Sequence, residues 1–254
     1  MKLFLLSKEN IKLAKAELSA LIGPVKKYSD NWAFAEAKDI EELSNRLAYT
    51  KAIYDILFIT RKDKLKENIK AFDWNSIYKK DFCVRAHGFD EKGLAGLIWD
   101  NLKNPKVNLT SPKTQFEFHN TKDKIYASLL LAQNQHRFKD RKAHKRPESH
   151  PTALDPKLAR ALVNLTGASL KDTICDPFCG AGGILIEAGL MGLKTVGYDL
   201  YLSMLDKAKK NLDHFKIKNY KLIKKDATKL SRKFDYIVTD VPYGLNTSIW
   251  TKEK

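Results

Sequence analysis

The sequence predicts an α/β fold: a doubly wound, mostly parallel sheet in its C-terminal part, preceded by an α+β region. Three observations predict it. From residue 151 onward, short apolar runs alternate with amphipathic stretches, the pattern of repeated β–α units. Each apolar run ends on or shortly before an aspartate: Asp176, Asp199, Asp226 and Asp240. Residues 1–132 mix strand-like and helix-like runs without that regular alternation.

The elements follow in order. Lys2–Leu6 reads as a strand. Asn10–Leu21 places Ile11, Leu13, Ala14, Leu18 and Leu21 near helical spacing, and Gly23-Pro24 stops it. Trp32–Ala37 is strand-like, and Asp39–Tyr49 is helical with Asp39 as its N-cap. Ala52–Thr60 is β-branched and aromatic, which suits a strand. Phe82–Ala86 reads as a strand, Glu91–Asn101 as a helix, and Thr114–His119 with Lys124–Leu131 as a strand pair. After a basic connector come a helix over Pro156–Leu165 and a strand over Thr173–Cys175. A helix over 183–191, a strand over Thr195–Tyr198 and a helix over Leu202–His214 follow. Two strands, Tyr220–Ile223 and Phe234–Thr239, complete the series. Boundaries are therefore expected near residues 61, 132 and 150.

Composition limits the function. The 254 residues include 46 Lys+Arg against 30 Asp+Glu, a formal charge of +16, and 43% are hydrophobic. A chain of this kind can bury a core, and no apolar run approaches twenty residues, so no membrane-spanning helix is expected. The apolar opening Met1–Leu6 is too short for a signal peptide. Three cysteines, Cys83, Cys175 and Cys179, are too few for a disulfide scaffold and lack the spacing of a zinc site; a cytoplasmic protein without a metal is expected. Positive charge is spread over both halves and is densest over residues 136–146, with six cationic side chains and one acid. Such a field attracts polyanions, and nucleic acid is the expected partner.

The strongest motif is Asp176-Pro177-Phe178-Cys179-Gly180-Ala181-Gly182-Gly183, directly between a strand and a helix. Glycines there let backbone amides approach a ligand, and the helix N-terminus favours an anion. Leu185 stands where a dinucleotide fingerprint has its last glycine, and no P-loop lysine is present. An acid at the strand tip would repel pyrophosphate but attract an ammonium. That combination suits the amino-acid end of S-adenosyl-L-methionine, with Asp176, Pro177, Phe178, Gly180, Gly182 and Gly183 as candidate contacts. Asp199, 23 residues on, is placed to accept two ribose hydroxyls. Asp226, with Ala227 beside it, could accept from an adenine amino group; a strand-end or capping aspartate is the alternative for Asp199 and for Asp226 alike.

The last tip reads Asp240-Val241-Pro242-Tyr243-Gly244. A base's exocyclic amine is a poor nucleophile because its lone pair is delocalised. Donation from that amine to the Asp240 carboxylate and to a backbone carbonyl makes the nitrogen more tetrahedral. Pro242 leaves a carbonyl-rich turn, and Tyr243 offers a face on which an extruded base can stack. Val241 contributes a carbonyl. Candidate catalytic residues are therefore Asp240, Val241, Pro242 and Tyr243.

Arg146-Pro147, then His150-Pro151-Thr152-Ala153-Leu154-Asp155-Pro156-Lys157-Leu158-Ala159-Arg160-Ala161-Leu162-Val163-Asn164-Leu165, with Asp176–Glu187 and Asp240–Gly244, resembles the THUMP-containing tRNA guanine-N2 methyltransferases, most closely the archaeal tRNA guanine-10 type. The resemblance implies a ferredoxin-like domain over 1–61, a THUMP RNA-binding domain over 62–132, a basic linker over 133–150 and a Rossmann-like methyltransferase domain over 151–254. Phe82–Arg85 and Lys106–Leu109 carry the THUMP part. It further implies tRNA as partner, held by the basic N-terminal half and the 136–146 block. The cofactor sites would be those named above, with catalysis at Asp240–Tyr243. The family's usual tetrapeptide is Asp-Pro-Pro-Tyr, and Val241 replaces its first proline. Only 14 residues follow Asp240, whereas such a sheet has seven strands, so truncation after the fourth strand, or completion by a separate polypeptide, is expected. Three alternatives stay open: a tRNA-binding module without turnover, action on a guanine elsewhere in tRNA or in ribosomal RNA, and a DNA adenine methyltransferase.

Overall fold

A computed structural model describes residues 1–86, 88–121, 124–150 and 153–241. The chain forms two compact units. One comprises Met1–Leu6, Pro24–Ser44 and Thr50–Gln133; the other comprises Ser7–Gly23, Asn45–Tyr49 and everything from Asn134 onward. The first unit ends at Gln133, one residue from the boundary expected at 132, while no division falls at 61 and two earlier segments, Ser7–Gly23 and Asn45–Tyr49, join the second unit.

In the first unit, β1 (Lys2–Leu6), β2 (Lys27–Ser29), β3 (Trp32–Ala35), β4 (Thr50–Thr60), β5 (Phe82–Ala86), β6 (Thr114–Thr121) and β7 (Lys124–Gln133) build one sheet. Its order is β2-β3-β1-β4-β7-β6-β5. No break separates residues before 61 from those after, because β4 pairs antiparallel with β7 from Ala52↔Gln133 to Thr60↔Ile125. The helices α3 (Leu65–Ala71) and α4 (Glu91–Trp99) contribute Leu65, Ile69, Leu94 and Ile98 to a core with Trp74, Phe82, Phe116 and Phe118. Asp90 caps α4, its side chain accepting from Gly93 N at 3.0 Å, and satisfies a first-turn amide.

The second unit carries α1 (Ile11–Ile22), α5 (Pro156–Leu165), α6 (Gly183–Leu190) and α7 (Leu202–His214). The expected helix over Asp39–Tyr49 is shorter, α2 (Ile40–Arg46), and its C-terminal residues Asn45 and Arg46 belong to this unit. The strands β8 (Thr173–Asp176), β9 (Lys194–Asp199), β10 (Tyr220–Lys224) and β11 (Tyr236–Ile237) form a parallel sheet of order β10-β9-β8-β11. The chain winds outward from β8 through β9 to β10, then returns to the other side of β8. That reversal is a topological switch point, and ligands of open α/β sheets bind outside the strand ends there. Ile174, Ile184, Ala188 and Val238 sit in one core layer; Leu185, Leu205 and Leu212 sit in another.

A buried polar cluster fastens α1 to α5. Glu17, fully buried, accepts from Ala48 N at 2.7 Å, Tyr49 N at 2.8 Å and Asn164 Nδ2 at 2.8 Å. Burial raises its carboxyl above the ordinary value, while those donors pull the other way. Asn164 Nδ2 also donates to Arg46 O at 2.8 Å, and Arg46 Nε donates to Asn164 Oδ1 at 3.3 Å.

Candidate active site

The carboxyl ends of the four parallel strands bring together the acids that the sequence singled out. Asp176 ends β8 with 2% of its surface exposed. Its Oδ1 accepts from Phe178 N at 3.1 Å and from Thr239 Oγ1 at 2.8 Å, which ties the tip of β8 to the chain leaving β11. Burial, followed by the charges of Asp199 and Asp240, lifts the Asp176 carboxyl to about 7, against the hydrogen bonds from Thr239 and Phe178.

The glycine turn folds over this tip. Cys179 N donates to Tyr198 O at 2.9 Å and Gly182 N donates to Cys179 O at 2.8 Å. Gly182 caps α6 in a left-handed conformation, φ +85°, and a Cβ there would lie 3.2 Å from Ala208 Cβ. Both Asp199 oxygens are held by amides, Oδ2 by Gly180 N and Oδ1 by Tyr201 N, each at 2.9 Å. Each carboxylate oxygen retains a lone pair for a ligand hydroxyl. Gly197, opposite Asp176 in the register, lets the turn close: a Cβ would meet Leu185 Cδ1 at 2.5 Å and Cys179 Sγ at 2.9 Å.

Lys225 N donates to Asp199 O at 3.0 Å, so the turn after β10 lies beside the β9 tip. There Asp226 Oδ1 accepts from Thr228 N at 2.9 Å and Thr228 Oγ1 at 2.7 Å, and these bonds hold its carboxyl below the ordinary range. It therefore caps the short turn begun by Ala227. Asp240 and Val241 are exposed beyond β11, and Phe178 projects outward with 39% exposure. Pro242 and Tyr243 lie outside the described residues.

The 136–146 block needs a correction. Arg137, Lys139, Lys142 and Lys145 are exposed, but Arg141 and Arg146 turn inward. Arg141 donates to Glu187 from Nε at 2.6 Å and from Nη2 at 3.0 Å. Arg160 Nε donates to the same carboxylate at 2.9 Å. Glu187 is fully buried on α6, an acid that cannot be left unpaired. Local sequence shows six cations and no sign of which ones the distant Glu187 draws in.

Residues 143–252 match the RMKL-like methyltransferase-domain family, UPF0020. The chain is 37% identical over 216 residues to the tRNA (guanine(10)-N2)-dimethyltransferase of Methanothermobacter thermautotrophicus, covering 81% of this chain and 64% of that protein. Its identity to the enzyme of the same name from Pyrococcus abyssi is 34% over 258 residues, covering 93% of this chain and 76% of that protein. The chain belongs to the tRNA (guanine(10)-N2)-dimethyltransferase family. It spans about two thirds to three quarters of the length of these two family members. Among solved structures, TrmN from Thermus thermophilus shares the mixed α/β fold of this family member, with a TM-score of 0.54 at 19% identity, covering 96% of this chain and 80% of that one. No described helix is long and apolar enough to cross a membrane.

Proposed function

We propose that this family member transfers a methyl group from S-adenosyl-L-methionine to the exocyclic N2 of a guanine in tRNA, at position 10 as its relatives' name states. Residues 151–254 are the Rossmann-like catalytic domain in this reading. Residues 1–132 are the ferredoxin-like and THUMP regions that hold the tRNA.

The convergence of Asp176, Asp199 and Asp240 at the switch point carries the reading. The residues present fit the donor. Asp176 is a buried acid suited to an ammonium, Gly180 in the glycine turn has open space where a Cβ would stand, and Asp199 keeps lone pairs for ribose hydroxyls. Asp226 and Ala227 lie where the adenine would be read. When bound, S-adenosyl-L-methionine supplies an electrophilic sulfonium methyl. Asp240 would accept a hydrogen bond from the guanine N2 amine, orient its lone pair and take the proton that the nitrogen loses as the N–CH3 bond forms and the donor's C–S bond breaks. The carbonyl of Val241 or a neighbour accepts the second N–H, and Tyr243 stacks on the extruded base. Positioning of this kind accounts for much of the rate.

Labelled donor and an unmodified tRNA transcript test this, with the product mapped by mass spectrometry. N2-methylguanine at position 10 is expected. Methyl found only on ring nitrogens, ribose or protein overturns it.

A further inference from the structure

We propose that the connection between β10 and β11, with the exposed face of β10 beside it, is a track for the phosphodiester backbone of the RNA substrate. It rests on the reading above that the substrate is an RNA. Residues 216–233 hold eight cations and one acid, Asp226, a net +7 out of the chain's +16. Seven of the eight are exposed, and Lys225 is half-buried. None of them forms an ion pair among the described residues.

The fold gathers this charge on one face of the sheet. Lys221 and Ile223 lie opposite Val196 and Tyr198 in the parallel ladder, and paired residues project to the same side. Leu230 and Phe234, from the connection, pack with Val196 and Tyr198 on that side. Arg232 and Lys233 stand exposed between these two anchors. The Arg232 guanidinium lies 5.1 Å from the centre of the Phe234 ring, which steadies it at the surface. Parallel strands are usually joined through a helix. Here the chain between β10 and β11 holds only the short turn Ala227–Lys229, so no helix shields the face. The connection crosses three strand spacings, about 14 Å. It leaves from Lys224, in register with Asp199, and enters the strand that leads to Asp240.

The opposite face is balanced. There α7 packs Leu205 and Leu212 inward, and two of its lysines are answered in place: Lys209 meets Asp213 and Lys210 meets Glu148, each at 2.6 Å. A lysine-rich composition alone would load both faces alike. Lysines on an edge strand also discourage pairing with another chain, and β10 is an edge. That accounts for Lys221 and Lys224, but not for Lys229, Arg232 and Lys233, which lie off the strand. Unanswered like charges repel one another, and a polyanion laid across them relieves the repulsion while its own counterions are released. The layout suits a run of phosphates better than a single anion. Lys221 and Lys224 stand about 10 Å apart along the strand, and the remaining cations continue across the sheet to the end from which Asp240 emerges.

Binding of an unmodified tRNA transcript over a range of salt concentrations tests the track. Combining Lys221→Gln, Lys229→Gln, Arg232→Gln and Lys233→Gln should weaken binding at least about 10-fold and reduce the slope of log affinity against log salt by up to about four. Lys229→Gln and Lys233→Gln made singly should each reduce the slope by about one, and they decide the matter if the fourfold variant does not fold. Combining Lys207→Gln, Lys209→Gln and Lys210→Gln on α7 should change it by less than about one. Equal effects from the two faces would make the field diffuse and overturn the proposal. So would an unchanged slope in the first set, or a loss there of binding to phosphatidylserine vesicles with tRNA binding intact, which would assign the face to a membrane. Affinity for S-adenosylhomocysteine should not change in any variant; a loss in the first set would place these residues at the donor and overturn the track. If the unaltered protein binds tRNA through this face yet puts no methyl on guanine N2, the functional reading falls and the track stands.

Discussion

Thr239 Oγ1 donates to Asp176 Oδ1 across 2.8 Å, joining the exit of β11 to the tip of β8 although 63 positions separate the two residues. The residue after Thr239 is Asp240, so this bond sets where the outermost acid stands relative to the buried one.

Asp176 should govern a pH dependence. Its ordinary value is 3.8 and burial lifts it to about 7 in the fold. Between those values the folded chain keeps a proton that the unfolded chain has released, so stability falls as pH rises from about 3.8 to about 7 and the loss is complete above it. Asp176→Asn removes this contribution. Denaturant unfolding across that range should give a flatter profile for the variant; parallel profiles would refute the assignment.

Asp240→Ala should lower methyl transfer by at least about 100-fold, the scale for losing a charge-stabilising group at a reacting centre. Asp240 is exposed at the sheet edge, so affinity for S-adenosylhomocysteine should stay within a few fold. Equal loss of binding and turnover would place its contribution in holding the donor.

Glu187→Ala leaves Arg141 and Arg160 without their shared carboxylate in the interior. Breaking a buried ion pair from one side costs about 3–5 kcal/mol. The shift in urea midpoint measures it, and a change below about 1 kcal/mol would contradict the burial argument.

Two glycines should respond oppositely to alanine. Gly182→Ala meets both a left-handed backbone and Ala208, and should cost about 1–3 kcal/mol. Gly96, inside α4 with open space around its Cβ position, should gain roughly 0.5–1 kcal/mol on the same change. Thermal unfolding of the two variants reads both.

Affinity for tRNA should fall steeply with added salt, and the slope of log affinity against log salt reports the phosphates neutralised. Replacing exposed Arg137, Lys139, Lys142 and Lys145 with alanine should reduce that slope by up to about four. Changing Arg141, half-buried and paired with Glu187, should leave the slope nearly unaltered, whatever it does to stability.

The parallel sheet was legible because each of its signals is local: an apolar run, an acid, a glycine turn, an amphipathic stretch. Leu202–His214 was readable to the residue, since one polar face and one apolar face define it. The features that escaped depend on distant partners. β2, only Lys27–Ser29, has no pattern of its own and exists because β3 offers it an edge. α3 lies in a charged stretch whose two buried residues, Leu65 and Ile69, are visible only against the core they enter. The joining of β4 to β7 is set by long-range pairing that neither strand announces. In the site, the four acids were legible by their recurrence at strand ends, whereas Arg146 looked like one surface cation among six.

The Glu17 cluster has a practical and an evolutionary side. A clone beginning at residue 134 would sever Asn164 from Glu17 and Arg46, and would strip Arg160 of its bond to Asn45 O. The second unit therefore cannot be excised at a linear border without baring polar groups to solvent. Any exchange of the first unit during descent would have had to leave the α1 segment with the second.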